Sequence, residues 1–379
     1  MNKKERKDNH FCYLCTESYD MTATLHSIFS TLPFAVCLVW CIILVLRART
    51  SGRDICLLAC FAGVCTVLYF CHAVFFNDDE RPWVKLLYLC CNISVYPLFW
   101  LYIRSVSEPG RLGWRACWVL APALLCAVCG IVSLASGRPV LWLELPVRGV
   151  FLLEVVLVCF FGMRRLAEYD RRVENFYADT DRKTLAPLRS LLFFFLLTSF
   201  LSAAAGVLGR ELFAPSLLLA LPSLLFSTML FSIFFVASRL EYTAEEMDAA
   251  AAAEPVGAAD EPVTEDMQAL LERICALMES RQLFRTQGFK ITDLATELGT
   301  NRTYVSNCIN RLRGESFSDF VNSYRVRYAQ ILLQMNDSGK TIAQIGAEAG
   351  FTGDTSFFRN FKKITGRTPS EWLSDRDPS

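Results

Sequence analysis

The sequence predicts an all-α protein in two parts: a polytopic helical membrane body of about seven spans, then a C-terminal all-α domain with two helix–turn–helix patterns. Three observations carry this expectation. The chain is 53% hydrophobic with 29 Phe, more apolar than a simple soluble protein of 379 residues. Its apolar residues crowd before Arg239 into runs long enough to cross a ~30 Å hydrocarbon core. Beyond Asp260 they recur instead at helical spacing, broken twice by a glycine turn.

After an N-terminal tail (1–24), the membrane body (25–238) has runs near 25–46, 55–76, 83–103, 116–136, 141–162, 188–208 and 214–237. Pro33, Pro97, Pro122, Pro146 and Pro222 fall inside them, where lipid-embedded helices accept kinks if neighbours satisfy the freed carbonyls. The first run is too long for a signal-peptide core and lacks a small-residue cleavage site. Loop charge sets the orientation. The first, third and fifth connections carry Arg47, Arg49 and Arg53; Arg104, Arg111 and Arg115; and Arg164, Arg165, Arg171, Arg172, Arg182, Lys183 and Arg189. The second, fourth and sixth hold little beyond Arg81, Arg138 and Arg210. The C-terminus is therefore expected inside and the N-terminus outside. The basic tail Lys3, Lys4, Arg6, Lys7 dissents and keeps a six- or eight-span alternative open.

All of the 16 Cys except Cys275 and Cys308 precede Met163, mostly within apolar runs, where Cys is a small filler. No His stands near them at metal-site spacing, so neither a metal nor a cofactor is expected. Cys12-Tyr13-Leu14-Cys15 could form a disulfide if the tail faces an oxidising space. Glu154 in the fifth span and His72 near the outer end of the second are the candidate signal-site residues, with Glu144 and Arg148 toward the outer end of the fifth. For Glu154 the alternatives are a ligand contact or relay, and a carboxyl paired to a neighbouring helix's polar group. So few intramembrane charges favour a sensor or anchor over a transporter.

The long fifth connection, 163–189, places Leu166, Tyr169, Val173, Phe176 and Tyr177 at helical spacing. It reads as a cytoplasmic helical extension near the headgroups, with a solvated loop favoured over a role in passing a signal to the tail. Residues 239–264 are acidic and Ala-rich, with Glu241, Glu245, Glu246, Asp248, Glu254, Asp260 and Glu261, and read as a linker with no packed element beyond one helical turn-set.

The C-terminal domain (265–379) holds helix–turn–helix units near 291–312 and 341–366. In the first, Leu294, Ala295 and Leu298 face inward, Gly299 permits the turn, and Thr300 is placed to cap a second helix with Val305, Cys308 and Ile309 inward. Its outward face offers Asn301, Arg302, Thr303, Ser306, Asn307 and Asn310. Asn can bond adenine, Arg guanine, and Thr can touch the thymine methyl. A long helix follows from Ser316-x-x-Asp319, with an apolar stripe at Phe320, Tyr324, Tyr328, Ile331 and Leu332. The second unit opens at Thr341-x-x-Gln344, turns at Gly350 and continues in a recognition helix near Thr355–Ile364. Asp354, Thr355 and Arg359 are its base-contact candidates. Arg311, Lys362, Lys363 and Arg367 are placed for phosphates. Phe357, Phe361 and Trp372 read as core. A short last helix starts at Thr368-Pro369-Ser370-Glu371.

This segment resembles the AraC/XylS-type DNA-binding domain through Gly350-Phe351, Phe357, Arg359, Phe361-Lys362-Lys363, Gly366, Thr368-Pro369 and Trp372. Leu294-Ala295, Leu298-Gly299 and the bridging helix agree with it. Gly346 stands where that family usually has Ala, which would slightly loosen the helix; Ser356 and Phe358 fill variable slots. The resemblance covers under a third of the chain and implies two units reading successive major-groove faces about 34 Å apart.

Together these features suggest a membrane-integral one-component transcription regulator in a bacterial cytoplasmic (inner) membrane, with its DNA reader in the cytoplasm. Double-stranded DNA and the lipid bilayer are the expected partners. RNA polymerase, a second copy of the chain and an unknown small-molecule or periplasmic signal are further candidates. No nucleotide loop, kinase signature or nucleophile–base set appears, so no catalytic residue is assigned and an enzyme is not expected. Two alternatives stay open: a receptor or carrier with a regulatory appendage, and a membrane-held factor released by proteolysis. Topology is directly testable. Reporter fusions at Asp78, Gly137 and Arg210 should read outside, and those at Gly52, Gly110 and Asp179 inside; cytoplasmic signals from the first set would overturn the orientation.

Overall fold

The structure, a computed structural model, describes residues 28–252 and 265–374 apart from 30, 50–51, 77–80, 109–111, 209–215, 240–242 and 336–338. Over 74–76, 201–208 and 216–222 it describes backbone alone. The expected tail with Cys12 and Cys15, the fusion positions Asp78, Gly110 and Arg210, and linker residues 253–264 lie outside the described residues. The described chain is helical, as the sequence indicates, with no strand beyond a single backbone bridge. It divides into two compact units. One comprises residues up to Ala167 with Ala186–Leu240; the other joins Glu168–Leu185 to the residues from Glu241 on.

In the first unit the apolar runs form α1 (Thr31–Ala48), α2 (Arg53–Phe76), α3 (Pro82–Ser107), α4 (Ala121–Ala135, entered through a 3-10 turn), the first part of α5 (Glu144–Phe176), α6 (Ala186–Leu208) and α7 (Ser216–Arg239). Among the described residues five helices are long and apolar enough to cross a membrane, or up to six counting the broken one from Ser223. Their shared core is aromatic: Phe61 lies 5.1 Å from Phe99 and 5.7 Å from Phe234, and Phe195 stacks on Tyr96 at 4.8 Å. These rings join α2, α3, α6 and α7. Leu124, Leu125, Val128, Ile131, Leu153, Val156 and Phe160 instead point outward and stay exposed, the distribution a lipid-facing surface requires. Pro97 sits inside α3 without ending it.

In the second unit the end of α5 and residues 177–185 pack with α8 (Ala244–Ala252), α9 (Glu265–Arg281), α10 (Ile291–Leu298), α11 (Arg302–Arg313), α12 (Phe317–Gln334), α13 (Ile342–Glu348), α14 (Asp354–Thr365) and α15 (Pro369–Ser374). Two sequence expectations change here. The fifth connection is not a solvated loop, because Tyr169, Val173, Phe176, Tyr177, Ala178 and Asp179 are all buried. Residues 244–252, read as linker with one helical turn-set at most, form a helix that buries Ala244 and Met247. Their acidic first turn favours the helix through its dipole.

The bridging helix α12 buries Phe317, Phe320, Val321, Tyr324, Arg325, Val326, Ala329 and Leu333. Ile331, expected inward, is 47% exposed, and Leu333 takes the inward place. The second unit's apolar cluster forms where α12 meets α13 and α14, around Ile345, Ala349, Phe351, Phe357 and Phe361. Gly346 has a packing role there: a Cβ at that position would lie 2.6 Å from the Phe357 ring. Gly346→Ala would gain about 0.5–1 kcal/mol of helix propensity but force the buried ring aside, at about 1–3 kcal/mol. Overpacking should prevail, so the urea midpoint of the variant's C-terminal unit, read by pulse proteolysis, is expected to fall; an unchanged or higher midpoint would refute close crossing as the reason for glycine.

Candidate nucleic-acid interface

Each recognition helix is set by short-range chemistry. In the first pair, Ile291, Leu294, Ala295 and Leu298 of α10 are buried with Val305, Cys308 and Ile309 of α11, and Gly299 makes the turn at φ +65°. The cap of α11 is Asn301 rather than Thr300: its Oδ1 accepts from Tyr304 N at 2.7 Å. That bond commits the Asn301 Oδ1 to the backbone. Asn310 donates to Ser306 Oγ at 3.1 Å, so these two candidates are joined.

In the second pair, Thr341 and Gln344 form the reciprocal capping box read from sequence. Gly350 then turns the chain at φ +100°, and a Cβ there would meet Phe284 O and Arg285 Cα at 2.7 Å. Only glycine satisfies both the backbone angle and the close approach. The helix α14 buries Phe357 and Phe361, with Trp372 edge-on to Phe361 at 6.0 Å, which confirms all three as core or near-core groups. Asp354, Thr355, Arg359, Lys362 and Lys363 are exposed, as are Arg311 and Arg367. Lys363 pairs with Asp319 at 2.6 Å and Arg359 with Asp181 at 2.8 Å.

The side chains expected to read bases from α11 are only partly accessible. Arg302, Thr303, Ser306 and Asn307 line a cavity of ≈ 250 Å³. Its other walls are Arg171, Arg172, Asn175 and Phe176 at the end of α5, Ile291, and Met247 and Ala251 of α8. The Arg302 guanidinium lies 5.7 Å over the Phe176 ring. Beside it, the Glu246 carboxylate takes Lys290 and the Tyr177 hydroxyl, and Arg172 pairs with Asp248. Burial opposes ionisation of Glu246, but the Lys290 ammonium and Tyr177 hydroxyl bring its carboxyl below the ordinary value.

The residues that sequence reasoning missed are Asp179 and Arg325. Arg325 has a fully buried side chain on α12. Its Nε donates to Phe284 O at 2.6 Å, Nη1 to Asp179 Oδ1 at 2.7 Å, and Nη2 to Thr286 O at 3.1 Å. The Phe351 ring covers it at 5.5 Å. Asp179 Oδ2 also accepts from Gly288 N at 3.1 Å. Burial lowers the Arg325 pKa, and the adjacent carboxylate opposes that shift. Nearby, Ala178 O accepts from Ser318 Oγ at 2.9 Å and Asn322 Nδ2 at 3.4 Å, and Ala178 N donates to Phe289 O at 2.9 Å. An arginine in an otherwise apolar helical register was the available signal for one partner. Nothing local marks Asp179.

Of the membrane candidates, His72 lies 6.3 Å from the Tyr88 ring in a stacked arrangement, with Tyr69 edge-on at 6.5 Å. Both Glu154 carboxylate oxygens are buried with no hydrogen-bond partner among the described residues. Glu144 is paired with Lys85 and, at 3.6 Å, with Arg148.

A family model described as a helix-turn-helix domain matches residues 294–375. An uncharacterized HTH-type transcriptional regulator of Staphylococcus aureus is 27% identical over 106 residues, 28% of this chain and 14% of its own. The uncharacterized HTH-type transcriptional regulator YtdP of Bacillus subtilis is 30% identical over 86 residues, 23% of this chain and 11% of its own. A solved structure of a protein of unknown function from Listeria innocua aligns with 30% of this chain and 97% of its own, at 30% identity and a TM-score of 0.24. The chain thus spans 14% or less of the length of these curated relatives. Residues 294–375 are a helix-turn-helix domain of AraC type, similar to segments of HTH-type transcriptional regulators.

The buried ion pair yields a stability prediction. Asp179→Ala leaves the Arg325 charge buried and uncompensated, which costs about 3–5 kcal/mol. Pulse proteolysis of the full chain in urea should show the C-terminal unit unfolding at clearly lower denaturant, with Asp179→Asn, which keeps an acceptor, less affected. Equal midpoints for Asp179→Ala and the parent would show that the pair is not structural.

Proposed function

We propose that the chain is a membrane-integral, one-component transcription regulator and not an enzyme. Its helices α11 and α14 read promoter DNA, and its apolar unit anchors the reader in a bacterial inner membrane or senses a signal there. The observation that carries this reading is the helix-turn-helix domain on one chain with several long helices whose outward faces are apolar. The paired units also supply the side chains direct readout needs. Arg302, Thr303, Ser306 and Asn307 share the early turns of α11, while Lys362 and Lys363 fall in the last turn of α14, where phosphate contact is easier. RNA polymerase, a second copy of the chain and a small-molecule or periplasmic signal belong to the same proposal. Glu154 and His72 are the residues we assign to signal reception.

Genome-wide immunoprecipitation of the full-length protein should return discrete promoters. On the best site, Arg302→Ala or Asn307→Ala should cost about 1–3 kcal/mol and relax preference at one or two base pairs. Lys363→Ala should weaken all sequences alike and flatten the salt slope by about one unit. Arg302→Ala and Lys363→Ala each remove one positive charge. If both keep the parent's site preference, α11 does not read bases.

A further inference from the structure

We propose that the arrangement described here is a closed, DNA-silent one, in which the end of α5, residues 177–185 and α8 form an intramolecular cover over the base-reading faces of both recognition helices. This rests on reading α11 and α14 as DNA-facing.

Space comes first. A recognition helix must present a bare strip to a major groove about 12 Å wide and about 8.5 Å deep. Arg302, Thr303, Ser306 and Asn307 instead face a cavity of ≈ 250 Å³ walled by Arg171, Arg172, Asn175, Phe176, Met247 and Ala251. That volume holds on the order of eight waters at ~30 Å³ each, and no duplex. While the wall stands, these half-buried side chains lack the clear strip a groove needs.

The cover also imitates what DNA would offer. Arg302 lies on an aromatic face at Phe176, in the way a guanidinium stacks on a base. Arg359, the base-contact candidate of α14, is held by the Asp181 carboxylate at 2.8 Å. Lys290 is held by Glu246. The helix α8 carries Glu245, Glu246 and Asp248 with no basic residue, and Glu246 and Asp248 take Lys290 and Arg172 as a phosphate would.

The attachment has a permanent centre and detachable flanks. At the centre, Ala178 and Asp179 are buried and bonded to Ser318, Asn322 and Arg325. On the side of α11, Lys290–Glu246 ties α8 to the start of α10 and Arg172–Asp248 braces α8 on the end of α5; on the other, Asp181–Arg359 holds the cover against α14. The side chains of these three flanking pairs are 28–54% exposed, and exposed pairs are individually weak. The flanks can therefore release without dissolving the centre. The α11 flank ends the same helix whose first part is the fifth apolar run, so the cover and that run share one backbone.

The test uses the full chain in zwitterionic nanodiscs. Asp181→Asn, Glu246→Gln and Asp248→Asn together loosen both flanks without altering a DNA-facing side chain. The control removes three exposed charges from α9: Asp266→Asn, Glu272→Gln and Glu279→Gln. Random-sequence duplexes are selected on the triple variant, and the winning duplex is titrated against all three proteins. Because covering reduces apparent affinity by the uncovered fraction, the triple variant should bind at least about tenfold tighter than the parent, and the control within about twofold of it. Equal affinity of parent and triple variant would overturn the cover while leaving DNA reading intact. An equal gain in the control would reduce the effect to net charge and likewise overturn it. If the triple variant selects no sequence at all, DNA reading fails first, and the cover with it.

Discussion

A buried guanidinium organises the C-terminal unit. Arg325 has no solvent access, and such a charge is tolerable only when its planar fork of donors is matched by oxygens in fixed places. Here the oxygens come from the Phe284 and Thr286 carbonyls, from Asn322 on the same helix, and from the Asp179 carboxylate. Because Phe351 lies over the same group, one side chain couples the bridging helix, the turn before α10 and the turn between α13 and α14. Replacing such a group by hydrocarbon is often harmless in other folds, whereas removing one partner is not. Its worth here is positional: it fixes where a distant stretch of chain lies against the domain that carries both recognition helices.

The apolar unit obeys another constraint. In the proposed membrane setting no water bonds free backbone groups, so its segments must be helical and their contacts must come from packing rather than from exclusion of water. The Phe61, Phe99, Phe195 and Phe234 cluster supplies that packing. Serine hydroxyls turned onto their own helices, such as Ser94 onto Cys90 O at 2.7 Å and Ser107 onto Ile103 O at 2.9 Å, satisfy the polar remainder. Glu154 departs from that economy, with two buried oxygens and no partner among the described residues. A group so placed is costly in lipid, which is why we attach signal reception to it.

Much of the reader was legible from residue spacing. The Ser316 and Thr341 caps, the turns at Gly299 and Gly350, and the inward Phe357 and Phe361 all stand where local rules put them. The misreadings are informative. Asn301 rather than Thr300 caps α11, because either residue can serve and only the backbone angles decide which is outside the helix. Ile331 faces out and Leu333 in, since the stripe follows what lies against α12 rather than an ideal period. Gly346 looked like a weak point in a helix and is instead where a ring sits against the backbone.

The sequence by itself determined what chemistry within a few residues can specify: which runs must be helices, where they start and stop, and which faces are apolar. It also carried a domain signature dense enough to recognise. Only the tertiary structure decided that an acidic, alanine-rich stretch forms a helix facing α11 across a small cavity, and that the fifth connection packs into the reader instead of lying in water. The reason is range. Capping and periodicity act over three or four positions, whereas Asp179 and Arg325 meet across 146 residues and Asp181 and Arg359 across 178. No local pattern announces such a pair: Arg325 stands out in its apolar register, but Asp179, Asp181 and Arg359 read as ordinary surface charges until the fold brings their partners to them.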